Sequence, residues 1–358
     1  MQQFKARLVC EGNHEIEGIN SQAMYALTGR LGHARLALMI SSQSDLKIHQ
    51  TDVCPAFFGV HSEVKLDTHP LQGYFCFVQT LSRYNDPTFS KTSRKIVLRL
   101  RQSLDGLEQS SQGWYGTCKD CVISIGFVPS PIDGGLHVLH DKEDHSIVVA
   151  TVVLYVHDLP FIANRGFIGQ IMAQMNKRFQ MHDLRGVSFH LGMDIDCILL
   201  LHTIDIHQHS YIQMILVEFR MDESRSVATP MAMKCHKSKP NEEACNLTIN
   251  QSMIGRLMYV MTGTRPNVAD PIGILSHYNH DTSSKHMVAL KHVFLYLNGT
   301  TDQRLCFSGA LGGALEAESP LGCYVNSDHA GCPDGYKLTS GLGITFGGAG
   351  HWRSRQQE

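Results

Sequence analysis

Two aspartates stand where carboxylates could do chemistry together. Asp52 lies in Gln50-Thr51-Asp52-Val53, just ahead of Ala56, Phe57 and Phe58, and Asp158 closes Tyr155-Val156-His157-Asp158 at the end of an apolar run. Carboxylates brought side by side at strand ends hold Mg2+, a hard ion that takes oxygen ligands and fills its shell with waters and phosphate oxygens. Two such ions can clamp the attacking and leaving oxygens of a phosphoryl transfer. The plainer alternative is that each Asp is a turn or cap residue, the commoner role at a strand end. Other candidates are weaker. Cys118 and Cys121 have C-x-x-C spacing, but no second pair stands at zinc-finger distance, so two thiols on one helix face are expected. His207 and His209 stand in H-x-H spacing and His277 lies near His280, among 21 scattered histidines that give little support to a dedicated zinc or copper site.

These residues need elements to hold them. Leu136 to Leu139, a polar turn from Asp141 to Ser146, and Ile147 to Val156 read as a hairpin whose second strand is apolar enough to be central, with Asp158 at its end. An amphipathic helix follows, with Ile168, Ile171, Met172, Met175 and Phe179 at helical spacing. A second helix carries Met253, Ile254, Leu257, Met258 and Met261 and stops before Arg265-Pro266, because the residue before proline avoids the α region. A third begins at Ser283 or Ser284 and closes at Asn298-Gly299. The polar stretch from Lys234 to Glu243 reads as a linker. A last block starts near Leu305, with strands expected at Leu321 to Val325 and Leu342 to Phe346 and an exposed sheet edge.

Composition sets bounds on partners and place. With 358 residues and 43% apolar content the chain can bury sizeable cores in two or three domains. Only 18% of residues are charged and the net charge is −2, so composition does not announce a strongly basic nucleic-acid binder. Ile147 to Val156 is about half the ~20 residues a bilayer span needs, and the N-terminus lacks the apolar core of a secretory signal. The 11 scattered cysteines do not suit a secreted disulfide framework. A cytoplasmic or nuclear protein, neither membrane-bound nor secreted, is expected.

The words along the chain add a resemblance. Lys5-Ala6-Arg7-Leu8-Val9, Gln50-Thr51-Asp52-Val53 with Ala56-Phe57-Phe58, and Leu104-Asp105-Gly106-Leu107-Glu108-Gln109 with Trp114-Tyr115 come first. Gly126-Phe127 with Asp133, Tyr155-Val156-His157-Asp158, Phe179-Gln180-Met181-His182-Asp183-Leu184 with Leu191-Gly192, and Gln208 with Tyr211-Ile212 follow. Thr229-Pro230-Met231, Ile254-Gly255-Arg256-Leu257-Met258-Tyr259, Thr264-Arg265-Pro266-Asn267, Tyr296-Leu297-Asn298-Gly299-Thr300 and Asn326-Ser327-Asp328-His329-Ala330-Gly331 complete the series. Each word is weak alone. In this order, across nearly the whole chain, they resemble the reverse transcriptase and RNase H region of copia-type LTR retrotransposon polyproteins.

The resemblance implies an α/β (α+β) right-hand polymerase fold. Fingers and palm with an antiparallel palm sheet would occupy 1–225, shortened at the N-terminus; thumb or connection helices 226–303; and an incomplete RNase H-like sheet 304–358. It implies RNA-directed DNA polymerisation on an RNA or DNA template-primer with deoxynucleoside triphosphates and two Mg2+ ions. Asp52 and Asp158 would be metal ligands. Phe57 would exclude a ribose 2′-hydroxyl, Gln109 would lie near the nucleotide, and Lys5 and Arg7 would face its triphosphate; core packing for Phe57 and a solvated strand face for Lys5 and Arg7 are the plainer alternatives.

Departures from the family pattern point the other way. His157 stands where YVDD has its first Asp, and a neutral imidazole there suits softer metals than Mg2+, leaving Mn2+ as an option. Asp105 and Glu108 replace an aromatic residue and a cation. Asn326 stands at the first catalytic Asp of RNase H, and Asp328 by itself does not hold two metals. Two readings therefore stay open: a reverse transcriptase segment with impaired two-metal nucleotidyl transfer, or an inactive retroelement relic that at most binds nucleic acid or sister proteins.

Overall fold

The apolar run after Ile147 becomes the middle of a six-stranded antiparallel sheet. The computed structural model describes residues 31–44, 46–53, 67–68, 98–99, 102–104, 107–145, 147–155, 158–198, 203–231, 242–243, 245–308, 321–328, 332 and 334–357. The elements begin with α1 (Leu31–Ser44), β1 (Lys47–Val53), the two-residue strands β2 (Asp67–Thr68) and β3 (Leu98–Arg99), α2 (Glu108–Ile125) and β4 (Val128–Pro129). Next come β5 (Leu136–His140), β6 (Val148–Val153), β7 (Asp158–Ala163), α3 (Arg165–Met175), β8 (Met181–Gly186), β9 (Phe189–His190), β10 (Met193–Ile198) and β11 (Thr203–His207). The chain continues through α4 (His209–Glu218), α5 (Leu247–Gly263), a 3-10 turn (Pro266–Val268), α6 (Ala269–His277), α7 (Ser284–Asn298), β12 (Leu305–Ser308), β13 (Leu321–Ser327), β14 (Thr339–Phe346) and β15 (Ala349–Gln356).

The large sheet runs β4-β5-β6-β7-β1-β8 and is covered on both faces. Ala150 and Val152 of β6 and Leu159 and Phe161 of β7 pack under α2 and α3 with Trp114, Val122, Ile171 and Met175. The alternate residues Val153, Ile162 and Ile48 meet Ala37, Leu38 and Met39 of α1 instead. Burial on both sides is why β6 reads as continuous apolar sequence rather than as an alternation. Gly126 ends α2 at φ +111°, a left-handed conformation that glycine adopts without strain, and this turns Phe127 into the core.

The helices α4 to α7 share a second core built on Ile212, Leu257, Ile272 and Phe294. Their ends follow the sequence signals. Asn246 Oδ1 accepts from the Ile249 N–H at the head of α5, and Ser283 caps α7 in a capping box with His286. Pro266 opens the 3-10 turn directly after α5, as expected of the Arg265-Pro266 pair.

Several expected elements shift. The strand expected over Ile147 to Val156 ends at Val153, and Asp158 opens the returning strand β7 instead of closing β6. The run holds no glycine or proline to mark this reversal, so periodicity alone merges the strand with the turn. The helix expected through Phe179 ends at Met175, and Phe179 packs edge-on to Trp114 from the turn beyond, with ring centroids 5.0 Å apart. Leu305–Ser308, placed with the last block by sequence, pairs with β11 and completes a four-stranded sheet, β12-β11-β10-β9. The last sheet, β13-β14-β15, has the two expected strands and a third; its outer strand β13 exposes Tyr324 and Val325. The fold is thus mixed α/β with antiparallel sheets.

Candidate active site: the Asp52 and Asp158 rung

Strand β1 lies between β7 and β8, and its register on β7 is unbroken from Lys47 opposite Ala163 to Asp52 opposite Asp158. Thr51, fully buried, helps hold that register: its hydroxyl donates to the Leu159 carbonyl at 3.0 Å. Two of the sequence-predicted residues, 106 positions apart, therefore occupy directly opposed positions of neighbouring strands. Asp52 is half-buried. On its other side it registers with His182 of β8, so one rung crosses the sheet as His182, Asp52 and Asp158. His182 entered the sequence reading only as part of a longer word, since nothing in one strand's sequence names its neighbour. Gln109 lies in the first turn of α2. Lys5, Arg7, Phe57 and His157 lie outside the described residues.

The chain reaches the rung through a tied turn. The Leu154 N–H, at the exit of β6, donates to the Gly135 carbonyl at 2.7 Å. Gly135 belongs to a turn begun by buried Asp133, whose Oδ1 accepts from the Gly135 N–H at 2.9 Å and whose Oδ2 pairs with His33 Nδ1 of α1. The Tyr115 hydroxyl of α2 donates to the Gly134 carbonyl at 2.7 Å. Tyr155 sits edge-on to His190, and its phenol is pushed above the ordinary range by burial and then by the Asp133 charge.

Aspartates at two opposed strand positions are the residue type from which a hard divalent cation takes its oxygen ligands, so the residue types present fit such an ion. Among the described residues no group of three or more His, Cys, Asp or Glu side chains could hold a metal ion.

Comparison with known proteins decides the family. Residues 1–233 match the family described as Reverse transcriptase (RNA-dependent DNA polymerase). The chain belongs to the copia-type reverse transcriptase family. It is 28% identical over 368 residues to the retrovirus-related Pol polyprotein from transposon TNT 1-94 of Nicotiana tabacum, across 99% of this chain and 26% of that protein. The corresponding polyproteins from transposons RE1 and RE2 of Arabidopsis thaliana are each 27% identical over 366 and 368 residues, across 100% of this chain and 23% of each polyprotein. The chain thus spans about a quarter of the length of these relatives.

Several of the sequence words quoted above meet one another in space. Gln208, buried, accepts at Oε1 from the Thr264 N–H at 3.1 Å and from the Thr264 hydroxyl at 2.9 Å. Arg265 donates to the Thr300 carbonyl at 2.8 Å and to its hydroxyl at 2.7 Å. The Tyr259 hydroxyl donates to the Leu191 carbonyl. These hydrogen bonds join elements that lie far apart in the chain.

Asn326 lies in the exposed strand β13 and Asp328, also exposed, directly follows it. Asn326 Oδ1 accepts from the Ser327 N–H at 2.9 Å, and Asp328 Oδ1 accepts from the Thr339 N–H. Both line a shallow groove of about 710 Å³ together with Asp270 and Arg353. His207 is engaged by acids, with Nε2 3.4 Å from Asp196 and Nδ1 3.6 Å from Asp194, and His209 Nδ1 lies 3.2 Å from the Thr301 carbonyl. Cys118 and Cys121 are both buried on one face of α2, and the Cys118 thiol is pushed up to about 12 by burial and by Cys121. No helix among the described residues is long and apolar enough to cross a membrane.

Proposed function

We propose that this chain is an RNA-directed DNA polymerase segment of a copia-type retrotransposon, descended from a two-metal nucleotidyl transferase and impaired in that reaction. The observation that carries the reading is the register of Asp52 on Asp158. In this reading the six-stranded sheet is the palm, α4 to α7 are thumb or connection helices, and β13 to β15 are the start of an RNase H-like sheet. Asp52 and Asp158 hold Mg2+ or Mn2+. Such cations, when bound, neutralise charge on the attacking and leaving oxygens of nucleotidyl transfer.

The chain's own groups do the rest. The two carboxylates fix the cation site on a rigid sheet. Phe57 closes the space beside a ribose 2′ carbon, Gln109 orients the nucleotide, and Lys5 and Arg7 draw its triphosphate. RNA or DNA template-primer lies along the sheet. His157 brings an imidazole where YVDD brings an acid, which lowers the site's negative charge and with it Mg2+ affinity.

Incorporation of labelled deoxynucleotide on a primed RNA template, with Mg2+ or Mn2+, tests this reading. His157→Asp is expected to raise the rate at least about 100-fold, since each ~1.4 kcal/mol of transition-state stabilisation is tenfold. Incorporation by neither protein would refute the enzyme reading. A second reading is a relic that binds nucleic acid or sister element proteins without turnover. It is favoured by Asn326, because the RNase H position has lost its acid as well.

A further inference from the structure

Asp133 is only 6% exposed, and an ionised carboxylate so buried is costly unless its oxygens are bonded. Both oxygens are used. Oδ2 pairs with His33 Nδ1 on α1, and Oδ1 accepts from the Gly135 N–H at 2.9 Å. The turn they order is also held from α2 by the Tyr115 hydroxyl at the Gly134 carbonyl, 2.7 Å away. The free end of the turn, the Gly135 carbonyl, catches the Leu154 N–H at 2.7 Å, one rung beyond the last β5–β6 pair, Leu136 opposite Val153. Leu154 is where the chain leaves β6 for the reversal that ends at Asp158.

The same helix that carries His33 packs Ala37, Leu38 and Met39 in a core with Ile48 of β1 and Ile162 of β7. One element therefore references both strands of the rung and the turn that feeds them. The tolerance is small, because side chains alternate along a strand and a slip of one residue sends the wrong position to a given face.

We propose that Asp133 is a positioning residue for the Asp52 and Asp158 rung: its carboxylate fixes the turn whose Gly135 carbonyl catches Leu154, and so sets where the chain leaves β6 to deliver Asp158 to the head of β7. This rests on reading the rung as the metal-holding pair. Asp133 touches neither metal nor nucleotide in this role.

The test uses the full chain carrying His157→Asp as the parent, with Asp133→Ala and Asp133→Asn added singly. Calorimetric titration with Mn2+ and amide hydrogen exchange at Leu154, Val152 and Phe161 are the readouts. Loss of the carboxylate in Asp133→Ala is expected to speed exchange at Leu154 about tenfold and weaken Mn2+ binding about tenfold, with Val152 and Phe161 little changed. Asp133→Asn keeps an acceptor for the Gly135 N–H and should recover both to within ~threefold of the parent. Unchanged Leu154 exchange in Asp133→Ala would overturn the proposal. So would equal acceleration at all three amides, which marks a residue of global stability. Unchanged Mn2+ affinity alongside faster Leu154 exchange would overturn it too. A parent that binds no Mn2+ would sink the metal reading of the rung, and Leu154 exchange then decides the anchoring of the turn alone. If Asp133→Ala does not fold, His33→Phe, which cuts only the tie to α1, takes its place with the same expected directions.

Discussion

Asp52 of β1 stands directly opposite Asp158 of β7, at the last rung of an uninterrupted antiparallel register. Asp52→Asn is expected to abolish any rise in melting temperature on adding Mg2+ or Mn2+, because it replaces an anionic oxygen ligand with a neutral amide. Thermal melts with and without the cations measure this; a variant that keeps the cation-dependent rise would remove Asp52 from the site.

Gly192 sits at φ +75°, and a Cβ there would come 2.0 Å from the Tyr259 hydroxyl oxygen, the group that bonds the Leu191 carbonyl. Strain and collision act together. Gly192→Ala should cost about 2 to 3 kcal/mol in urea unfolding. Adding Tyr259→Phe removes the nearest atom but not the ring carbon at 3.1 Å, so it should return only part of that loss. Full recovery in the double variant would show that the backbone conformation carries no strain of its own.

Arg35 of α1 is buried and donates to the carbonyls of Thr262 and Gly263, at the end of α5, and of Gly350 in β15. Its guanidinium also lies 4.1 Å from the centroid of the Trp352 ring, whose Nε1 donates to the Met261 carbonyl at 2.9 Å. This cation thus joins three parts of the chain, with the negative end of a helix dipole facing it. Arg35→Met is expected to lower stability by about 3 kcal/mol, because several buried acceptors lose a charged donor. Trp352 emission should shift in the folded state. A loss below about 0.5 kcal/mol, the range of an ordinary surface change, would rule out a joint of this kind.

Thiol reactivity should separate the cysteines by environment. Cys323 and Cys306 are both exposed, but the Cys306 thiol is pushed up to about 11 by partial desolvation and by Asp205. A rise from 9.0 to about 11 leaves about 100-fold less thiolate at pH 8, partly offset by the stronger nucleophilicity of the more basic thiolate, so iodoacetamide should label Cys306 about tenfold more slowly than an ordinary exposed thiol. Asp205→Asn should speed it. Equal rates at Cys306 and Cys323, read by mass spectrometry, would contradict this.

Cys118 gives a pH dependence of stability. Burial raises its folded value to about 12, while the unfolded thiol keeps its ordinary value of 9.0. The folded state therefore binds more protons between these values. The stability it contributes is complete below the lower value and is lost as pH rises toward the upper one. Cys118→Ala should flatten the fall in stability on going from pH 8.5 to about 10.5, measured by urea midpoints. An unchanged slope would assign that fall to other groups.

Features that depend on neighbours along the chain are legible residue by residue. Ser283 caps α7, Arg265-Pro266 ends α5 and the apolar run of β6 marks a strand covered on both faces, because capping, proline stereochemistry and periodicity act within a few residues. The ordered family words also sufficed to name the reverse transcriptase relationship. How distant pieces meet emerges from the folded chain alone: Asp158 heads β7, His182 joins its rung, Leu305–Ser308 closes the sheet of β11, and Asp133 reaches back to His33. Strand register and buried pairing are set by cores assembled from all parts of the chain, where a residue's partner lies a hundred positions away and leaves no local trace.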